Sequence, residues 1–241
     1  MIQSELPGDW KPDVGVLHNE RLEVKSKELE QYKKMLKLTQ EQRQVLVGIL
    51  LGDAHMETRD NGQTYRLKVE QSEKHRLYVQ HLYELFSDWV RTPPQLKDKL
   101  RNGVETRNVW FQTLSHGAFR FYAGQFCDTN SKRVPKLIHR WLTPRSLAYW
   151  FMDDGSTKSS QSKAMIFNTQ GFSPGDVARL AKALESKFGL EVKPRKQKDG
   201  LQLYVSGRSY ETLLELIEPF IIDDMKYKLP PKRKRSVSKQ D

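Results

Sequence analysis

The sequence predicts an α+β fold in which one unit, αββαββα, occurs twice along the chain. Two apolar stretches of helical character, Leu46–Ala54 and Leu147–Gly155, each end in an acidic residue followed by a small one. Each stretch precedes segments in which apolar and polar residues alternate, which is typical of half-buried antiparallel strands. Because the order of these patterns repeats, we expect a pseudo-twofold pair of helices joined to two antiparallel sheets.

Charge and composition restrict the partners of the chain. Its 41 Lys and Arg residues exceed its 30 Asp and Glu residues, which gives 241 residues a net charge of +11. That excess favours a polyanionic partner, either a nucleic acid or a membrane surface. No apolar run approaches the roughly 20 residues that a membrane span requires. We therefore expect a nucleic acid as partner and no membrane.

The cysteine content and the N-terminal sequence bear on the compartment. The single cysteine, Cys127, excludes an internal disulfide and is typical of a reducing compartment. The first residues lack the basic and then apolar order of a signal peptide. We expect a protein that acts inside a cell, in an organelle or in the nucleus.

Both apolar stretches have the start signals of a helix. Thr39 and Gln42 form a capping box before the first stretch, and Thr143 with Pro144 begins the second. The helices then place Asp53 and Asp154 at their C-terminal ends, where the helix dipole disfavours a carboxylate by about 0.3–1 kcal/mol. A divalent cation shared between the two acids would reverse that penalty.

The patterns divide the chain into four parts. Residues 1–38 are an irregular arm followed by an amphipathic docking helix, Asn19–Leu38. Residues 39–140 and 141–229 are the two repeated halves, and residues 230–241 form a basic tail that we expect to be disordered. The KRKR run of that tail is typical of a nuclear-localisation signal, a phosphate-contacting tail or an added segment.

The first half contains the patterns of a sheet with two further helices. Predicted strands cover Tyr65–Gln71 and Glu105–Leu114, with a turn at Arg59–Gln63 before the first of them. Predicted helices cover His75–Val90 and Ser115–Phe126.

The second half repeats this order. A strand is predicted at Ala164–Gln170, a helix at Pro174–Phe188 with Gly189 as its C-cap, a hairpin at Leu190–Arg195 and Leu201–Ser206, and a closing helix at Ser209–Ile221. Gln71 follows Asp53 by 18 residues and Gln170 follows Asp154 by 16, and this similar spacing indicates a duplication.

The two apolar stretches resemble the signature of the LAGLIDADG homing endonucleases, with Asp53 and Asp154 at its eighth position. The segments TPRSLAYWFMDDG, Lys132–Pro135 and Tyr227–Pro230 resemble the single-chain, two-motif members of that family. The first copy has small residues, Gly48 and Gly52, one turn apart. The second copy has Tyr149 and Asp153 instead, so its close packing would depend on Ala148 and the helix contact would be asymmetric.

The resemblance implies a metal-dependent DNA endonuclease whose two sheets form a saddle on the DNA. Mg²⁺ prefers carboxylate oxygens and water, which makes Asp53 and Asp154 the expected ligands, with backbone carbonyls of Gly52 and Asp153 as further oxygens. Mn²⁺ or Ca²⁺ is expected to substitute in binding. The side chain of Asp153 is a spare carboxylate, which we interpret as a polar residue of the helix interface or one behind the ligands.

Each half also contains a lysine that matches the paired lysines of the family. Lys132 precedes Val134–Pro135 and Lys228 precedes Leu229–Pro230. Their expected role is to polarise water or to offset charge at the scissile phosphate.

Long polar side chains on the predicted strands are candidates for contacts to bases and phosphates of double-stranded DNA. In the first half these are His55, Glu57, Arg59, Arg66, Lys68, Glu70, Asn108 and Gln112. In the second half they are Lys158, Asn168, Gln170, Lys193, Arg195, Lys196, Gln202 and Tyr204. A solvated strand face is the alternative for each single residue.

These observations predict a monomeric endonuclease that makes a double-strand break in a long asymmetric DNA site and leaves 3′ overhangs. Two other functions fit the same scaffold. One is a maturase that binds intron RNA and assists splicing. The other is a DNA-binding regulator without catalysis. The two acids at the helix ends favour the nuclease, because neither alternative requires them.

Overall fold

A computed structural model describes residues 26–101, 103–128, 131–159 and 162–230. The first half consists of α2 (Gln40–Leu51), β1 (His55–Glu57), β2 (Arg66–Ser72), α3 (Arg76–Leu85), β3 (Gln95–Arg101), β4 (Val104–Gln112) and α4 (Arg120–Phe126). The second half consists of α6 (Pro144–Asp154), β5 (Gly155–Thr157), β6 (Met165–Phe167), α7 (Pro174–Phe188), β7 (Val192–Gln197), β8 (Gly200–Val205) and α8 (Tyr210–Ile217). A helix α1 (Ser26–Met35) precedes the first half, and a short α5 (Ile138–Trp141) joins the two.

Both halves form a four-stranded antiparallel sheet. The strand orders are β1-β2-β4-β3 and β5-β6-β8-β7, so that the same topology occurs twice. This confirms the predicted α+β fold with its duplicated αββαββα unit. The predicted C-cap of α7 is also confirmed, since Gly189 has a φ of 66°, a conformation that favours glycine.

Three strands were missing from the sequence-based assignment, the three-residue β1 and β5 and the seven-residue β3. Strand β3 contains only two apolar residues, Leu96 and Leu100, which lie four residues apart and are both exposed. That spacing resembles the pattern of a helix rather than the alternation of a strand. The segment is a strand because it pairs along its whole length with β4.

Other boundaries differ modestly from the prediction. The predicted docking helix Asn19–Leu38 is α1, and its residues 19–25 lie outside the described part of the chain. The predicted helix His75–Val90 is α3 with a 3₁₀ turn at each end, and Ser209–Ile221 is α8 followed by 3₁₀ turns. The predicted arm at residues 1–18 and the tail at residues 231–241 lie outside the described residues.

Helices α2 and α6, hereafter the central helices, pack against each other between the two halves. A Cβ atom at Gly48 would lie 2.4 Å from the Ser146 carbonyl oxygen and 2.8 Å from the Tyr149 Cβ atom. A Cβ atom at Gly52, one turn further along, would likewise overlap the side chain of Asp153. The helices thus approach closely through two glycines of α2, which accommodate the larger Tyr149 and Asp153 of α6. Packing on Ala148 alone, as the sequence suggested, does not describe this contact.

A continuous apolar core holds the sheets on the helices. Leu67 and Val69 of β2, and Met165 and Phe167 of β6, are buried on the inner faces of the two sheets. Within the described residues, no helix combines the length and the apolar character needed to cross a bilayer.

Candidate active site

The two predicted acids lie at the same end of the central helices. The predicted capping box at Thr39 before α2 and the predicted N-cap Thr143 before α6 are both present, so each helix begins where the sequence indicated. Thr143 also forms a capping box with Ser146, which was not predicted. Helix α2 ends at Leu51, two residues before the exposed Asp53, whereas Asp154 is the last residue of α6 and is half-buried. Burial and the charge of Asp53 together raise the pKa of Asp154 to about 7. The fold therefore brings both carboxylates into one electrostatic site.

A third carboxylate, that of Asp153, lies between the two halves. Its Oδ2 atom accepts a hydrogen bond of 3.1 Å from the backbone N–H of Asp53. Burial and the charge of Asp53 raise its pKa well above the usual range of an aspartate. The residue is therefore part of the contact between the central helices and is also next to the first predicted acid.

The two predicted lysines approach the carbonyl groups that the sequence proposed as metal ligands. Lys132 donates a hydrogen bond to the Gly52 carbonyl oxygen. Lys228 donates to the Asp153 carbonyl oxygen at 2.8 Å and also to that of Met152. Burial lowers the pKa of both lysines, and the neighbouring aspartates oppose this effect. Each half therefore has one lysine beside the end of its central helix.

Gln71 also belongs to this site. The sequence indicated only its spacing from Asp53 and did not predict it as a site residue. Its Nε2 atom donates a hydrogen bond of 2.7 Å to the Asp53 carboxylate. In the ladder, Gln71 pairs with Val109, which faces the core, so its side chain points beneath the sheet. The sequence could have indicated Gln71, because it is a polar residue at a position of β2 where the alternation places side chains on the inner face of the sheet.

The second half contains no equivalent glutamine. The β5–β6 register places Thr169, rather than Gln170, at the position that corresponds to Gln71. Thr169 is buried and donates its hydroxyl group to the Leu201 carbonyl at 2.7 Å. The counterpart of Gln71 is therefore Thr169 and not Gln170, which the spacing had indicated. The surroundings of the two acids differ as a result.

The donor atoms at this site suit a hard divalent cation. Asp53, Asp154 and the carbonyl groups of Gly52 and Asp153 supply oxygen ligands only, which is the preference of Mg²⁺. Among the described residues, no three His, Cys, Asp or Glu side chains are placed to share one metal ion. A cation here would therefore be held by few side chains, through carboxylate and backbone oxygens, and its remaining ligands would be water.

The outward face of the first sheet carries most of the predicted DNA-contacting residues of that half. The register aligns His55 with Lys68 and Glu57 with Arg66, and Arg59 is exposed beyond β1. Further members of this face are Glu70, Asn108, Gln112, Trp110, Gln95, Lys97 and Lys99. The last four were not predicted, because β3 was not recognised and Trp110 was not taken as a contact residue.

Glu57 holds three basic side chains of this face together. Its carboxylate accepts hydrogen bonds from Arg66 at 2.6 and 3.0 Å, from Lys68 at 3.2 Å and from His55 at 3.1 Å. Burial acts to raise its pKa, but these hydrogen bonds are stronger and lower the pKa of Glu57 to about 2. The basic groups are thus arranged around one anion before any DNA is bound.

The second sheet presents a similar outward face with one exception. The register places Lys193 beside Tyr204 and Arg195 beside Gln202. Asn168 accepts a 2.8 Å hydrogen bond from Gln202, Lys158 lies over the ring of Tyr204, and Gln170 follows β6 in a turn. Lys196 instead pairs with Leu201, whose side chain packs on the core, so it belongs to the opposite face.

Comparisons with known proteins agree with this architecture. Residues 43–213 match the model of the LAGLIDADG DNA endonuclease family. A protein named "Probable intron-encoded endonuclease 1" from Wickerhamomyces canadensis is 34% identical over 213 residues, which cover 85% of this chain and 90% of that protein. The structure of the homing endonuclease I-WcaI bound to its DNA recognition sequence superposes with a TM-score of 0.82 at 30% identity, covering 88% of this chain and 97% of the other.

A further relative is named for a different role. The cytochrome b mRNA maturase bI2 of Saccharomyces cerevisiae is 30% identical over 198 residues. The match covers 77% of this chain and 46% of the maturase.

Proposed function

Because the chain belongs to the LAGLIDADG DNA endonuclease family, it is a DNA endonuclease, and we propose that it makes a site-specific double-strand break in a long asymmetric duplex. The observation that supports this most strongly is the pairing of Asp53 and Asp154 at adjoining helix ends, each with a lysine beside it. One chain supplies both helix ends, so a monomer contains two sites, one for each strand. We expect it to act in the compartment that holds its target, an organelle or the nucleus.

The residues at the helix ends have separate roles in this proposal. Divalent-metal dependence is typical of the family, and we propose Mg²⁺ as the ion at both sites. Asp53 is the carboxylate ligand of one site and Asp154 that of the other, and the carbonyl groups of Gly52 and Asp153 are further ligands. When bound, Mg²⁺ supplies the charge neutralisation and water activation that phosphodiester hydrolysis requires. Lys132 and Lys228 hold the carbonyl groups in place and offset negative charge at the scissile phosphate.

The outward faces of the two sheets are proposed as the DNA-binding surface. They carry the basic and amide side chains that can contact phosphates and base edges, and the chain has a net charge of +11. Two different sheets in one chain can bind two unlike half-sites, which supports an asymmetric target. Cleavage on the minor-groove side by the two sites would leave 3′ overhangs.

The proposal is tested with a library of linear plasmids that carry random inserts, incubated with the protein and Mg²⁺. We expect cutting at one discrete sequence. Asp53→Asn and Asp154→Asn should each abolish the double-strand break while binding of the selected duplex stays near that of the wild type. Glu215→Gln, an exposed carboxylate of α8, is the matched control and should cut normally. Wild-type cutting by either aspartate variant would refute the assignment of the site.

A second candidate function is assistance of intron splicing through RNA binding. The similarity to a maturase favours it. Binding of intron RNA by the Asp53→Asn variant, together with the absence of any DNA cut by the wild-type protein, would identify this function instead.

A further inference from the structure

We propose that the side chain of Asp153 is a positioning residue for the active site of the other half. It crosses the contact between the central helices and fixes the backbone of Asp53. This inference rests on the proposed function, since it assigns Asp53 to one of two strand-cutting sites. It goes beyond the ligand roles above, which concern the backbone carbonyl of Asp153 and not its carboxylate.

The hydrogen bonds around Asp53 carry the argument. The amide groups on either side donate to carbonyl oxygens of α2 itself, Gly52 to Gly48 at 3.1 Å and Ala54 to Ile49 at 3.0 Å. The amide of Asp53 donates instead to Asp153 Oδ2 at 3.1 Å, across the helix contact. The orientation of the Asp53 backbone is therefore tied to a side chain of the second half.

Gln71 completes the arrangement from the other direction. Its Nε2 atom lies 2.7 Å from Asp53 Oδ2 and 3.4 Å from Asp153 Oδ1, so it contacts both carboxylates. The hydroxyl group of the buried Tyr78 also interacts with the Asp153 carboxylate, whose pKa it lowers against the effect of burial. Asp53 is thus held through its backbone by Asp153 and through its side chain by Gln71.

The space for the Asp153 carboxylate comes from Gly52. A Cβ atom at residue 52 would lie 2.2 Å from Asp153 Oδ2 and 2.4 Å from Asp153 Cβ, distances that no real contact shows. The reciprocal arrangement does not exist, because Gly52 has no side chain that could reach across to Asp154. The two active sites should therefore respond differently to the loss of this one side chain.

The rate of cutting should depend on how precisely the Asp53 carboxylate is positioned. Without the Asp153 carboxylate, the amide of Asp53 loses its partner and the catalytic carboxylate can shift. A displacement of about 1 Å costs on the order of a hundredfold in rate. Asp154 keeps its place at the end of α6, and the carbonyl group of residue 153 remains. We therefore expect a loss of cutting on one strand only.

The experiment measures cutting of each strand separately, on the selected duplex labelled at either 5′ end. Asp153→Ala should slow one strand roughly tenfold to a hundredfold and change the other less than about threefold. The affected strand should be the one that Lys132→Met also impairs, since Lys132 belongs to the first half. Asp153→Asn, whose side-chain oxygen can accept the same hydrogen bond, should restore the rate to within about threefold of the wild type.

A second measurement does not depend on activity. Amide hydrogen exchange at Asp53 in the metal-free protein should be slow in the wild type and in Asp153→Asn, and faster in Asp153→Ala. Gly52→Ala changes the same contact from the side of α2, because the added methyl group displaces the Asp153 carboxylate. It should slow the cutting of the same strand as Asp153→Ala does.

Three outcomes would overturn the inference. Equal slowing of both strands in Asp153→Ala would assign the residue to general stability of the helix pair. An Asp153→Asn variant as impaired as Asp153→Ala would show that the charge, not the hydrogen bond, matters. If the wild-type protein cuts no DNA, the proposed function fails, whereas unchanged exchange at Asp53 would refute the positioning role by itself.

Discussion

Gly48→Ala tests the close approach of the central helices on which both acids depend. The added Cβ atom would lie 2.4 Å from a backbone oxygen of Ser146 and 2.8 Å from the Cβ atom of Tyr149. Neither atom can move by a side-chain rotation, so the two helix backbones must separate. That separation would also move the ends of the helices, where Asp53 and Asp154 lie.

The expected size of the effect combines two opposing terms. Overpacking of a tight core costs about 1–3 kcal/mol, and a backbone contact belongs at the upper end of that range. Alanine in place of glycine within a helix contributes about 1 kcal/mol in the opposite direction. The free energy of unfolding of Gly48→Ala should therefore fall by about 2 kcal/mol, which lowers Tm by about 4–8 °C in a domain of this size.

Gly124→Ala is the matched control, because Gly124 is an exposed residue of α4 and a Cβ atom there would contact nothing within 4 Å. This variant should be stabilised by up to about 1 kcal/mol. The difference between the two variants, measured by urea denaturation and by thermal unfolding, isolates the crowding at Gly48.

Two results would contradict this reasoning. A Gly48→Ala protein at least as stable as Gly124→Ala would show that the helices are not in tight contact at residue 48. Normal cutting by a destabilised Gly48→Ala protein would show that the spacing of the helices does not set the geometry of the acids.

Three further predictions concern the charged groups. The pKa of Asp154 is about 7 in the folded chain and near 3.8 in the unfolded one, so its contribution to stability is complete below pH 4 and is lost as the pH rises through 7. The Tm of the metal-free wild type should thus fall, relative to that of Asp154→Asn, between pH 4 and pH 7, and Mg²⁺ should raise the wild-type Tm more at pH 8 than at pH 5; parallel pH profiles would refute this. Lys132→Met and Lys228→Met should each slow the cutting of a different strand by about a hundredfold, while the exposed Lys182→Met serves as control; slowing of the same strand by both would contradict the assignment. Glu57→Gln removes one negative charge beside Arg66 and Lys68, which is equivalent to one additional phosphate contact. Binding of non-cognate duplex should therefore tighten, and its salt dependence should steepen by about 0.9 in the log–log slope; an unchanged slope would show that the freed cations do not contact phosphate.

The sequence determined the fold through local patterns. The capping box at Thr39, the N-cap Thr143 before Pro144 and the C-cap at Gly189 marked helix ends, and alternation marked Tyr65–Gln71 as a strand. These signals can be recognised in the sequence because each depends on residues within a few positions of one another. Strand β3 was missed because its stability comes from pairing with β4, which its own residues do not reveal.

The sequence also provided the residues on which the proposed chemistry of the site depends. The repeated acid at the end of an apolar helix indicated Asp53 and Asp154 without any knowledge of distances. The lysines at positions 132 and 228 came from the family resemblance, and the structure places them at the carbonyl groups beside those acids.

Only the tertiary structure decided how the two halves depend on each other. Asp153 is a spare carboxylate in the sequence, but in the fold it occupies the space left by Gly52 and binds the amide of Asp53. Gln71 contacts Asp53 because the sheet register turns it inward, while the same register gives the second half Thr169. These contacts join residues up to 100 positions apart. Their physical basis is packing between helices and strands, which no local pattern specifies.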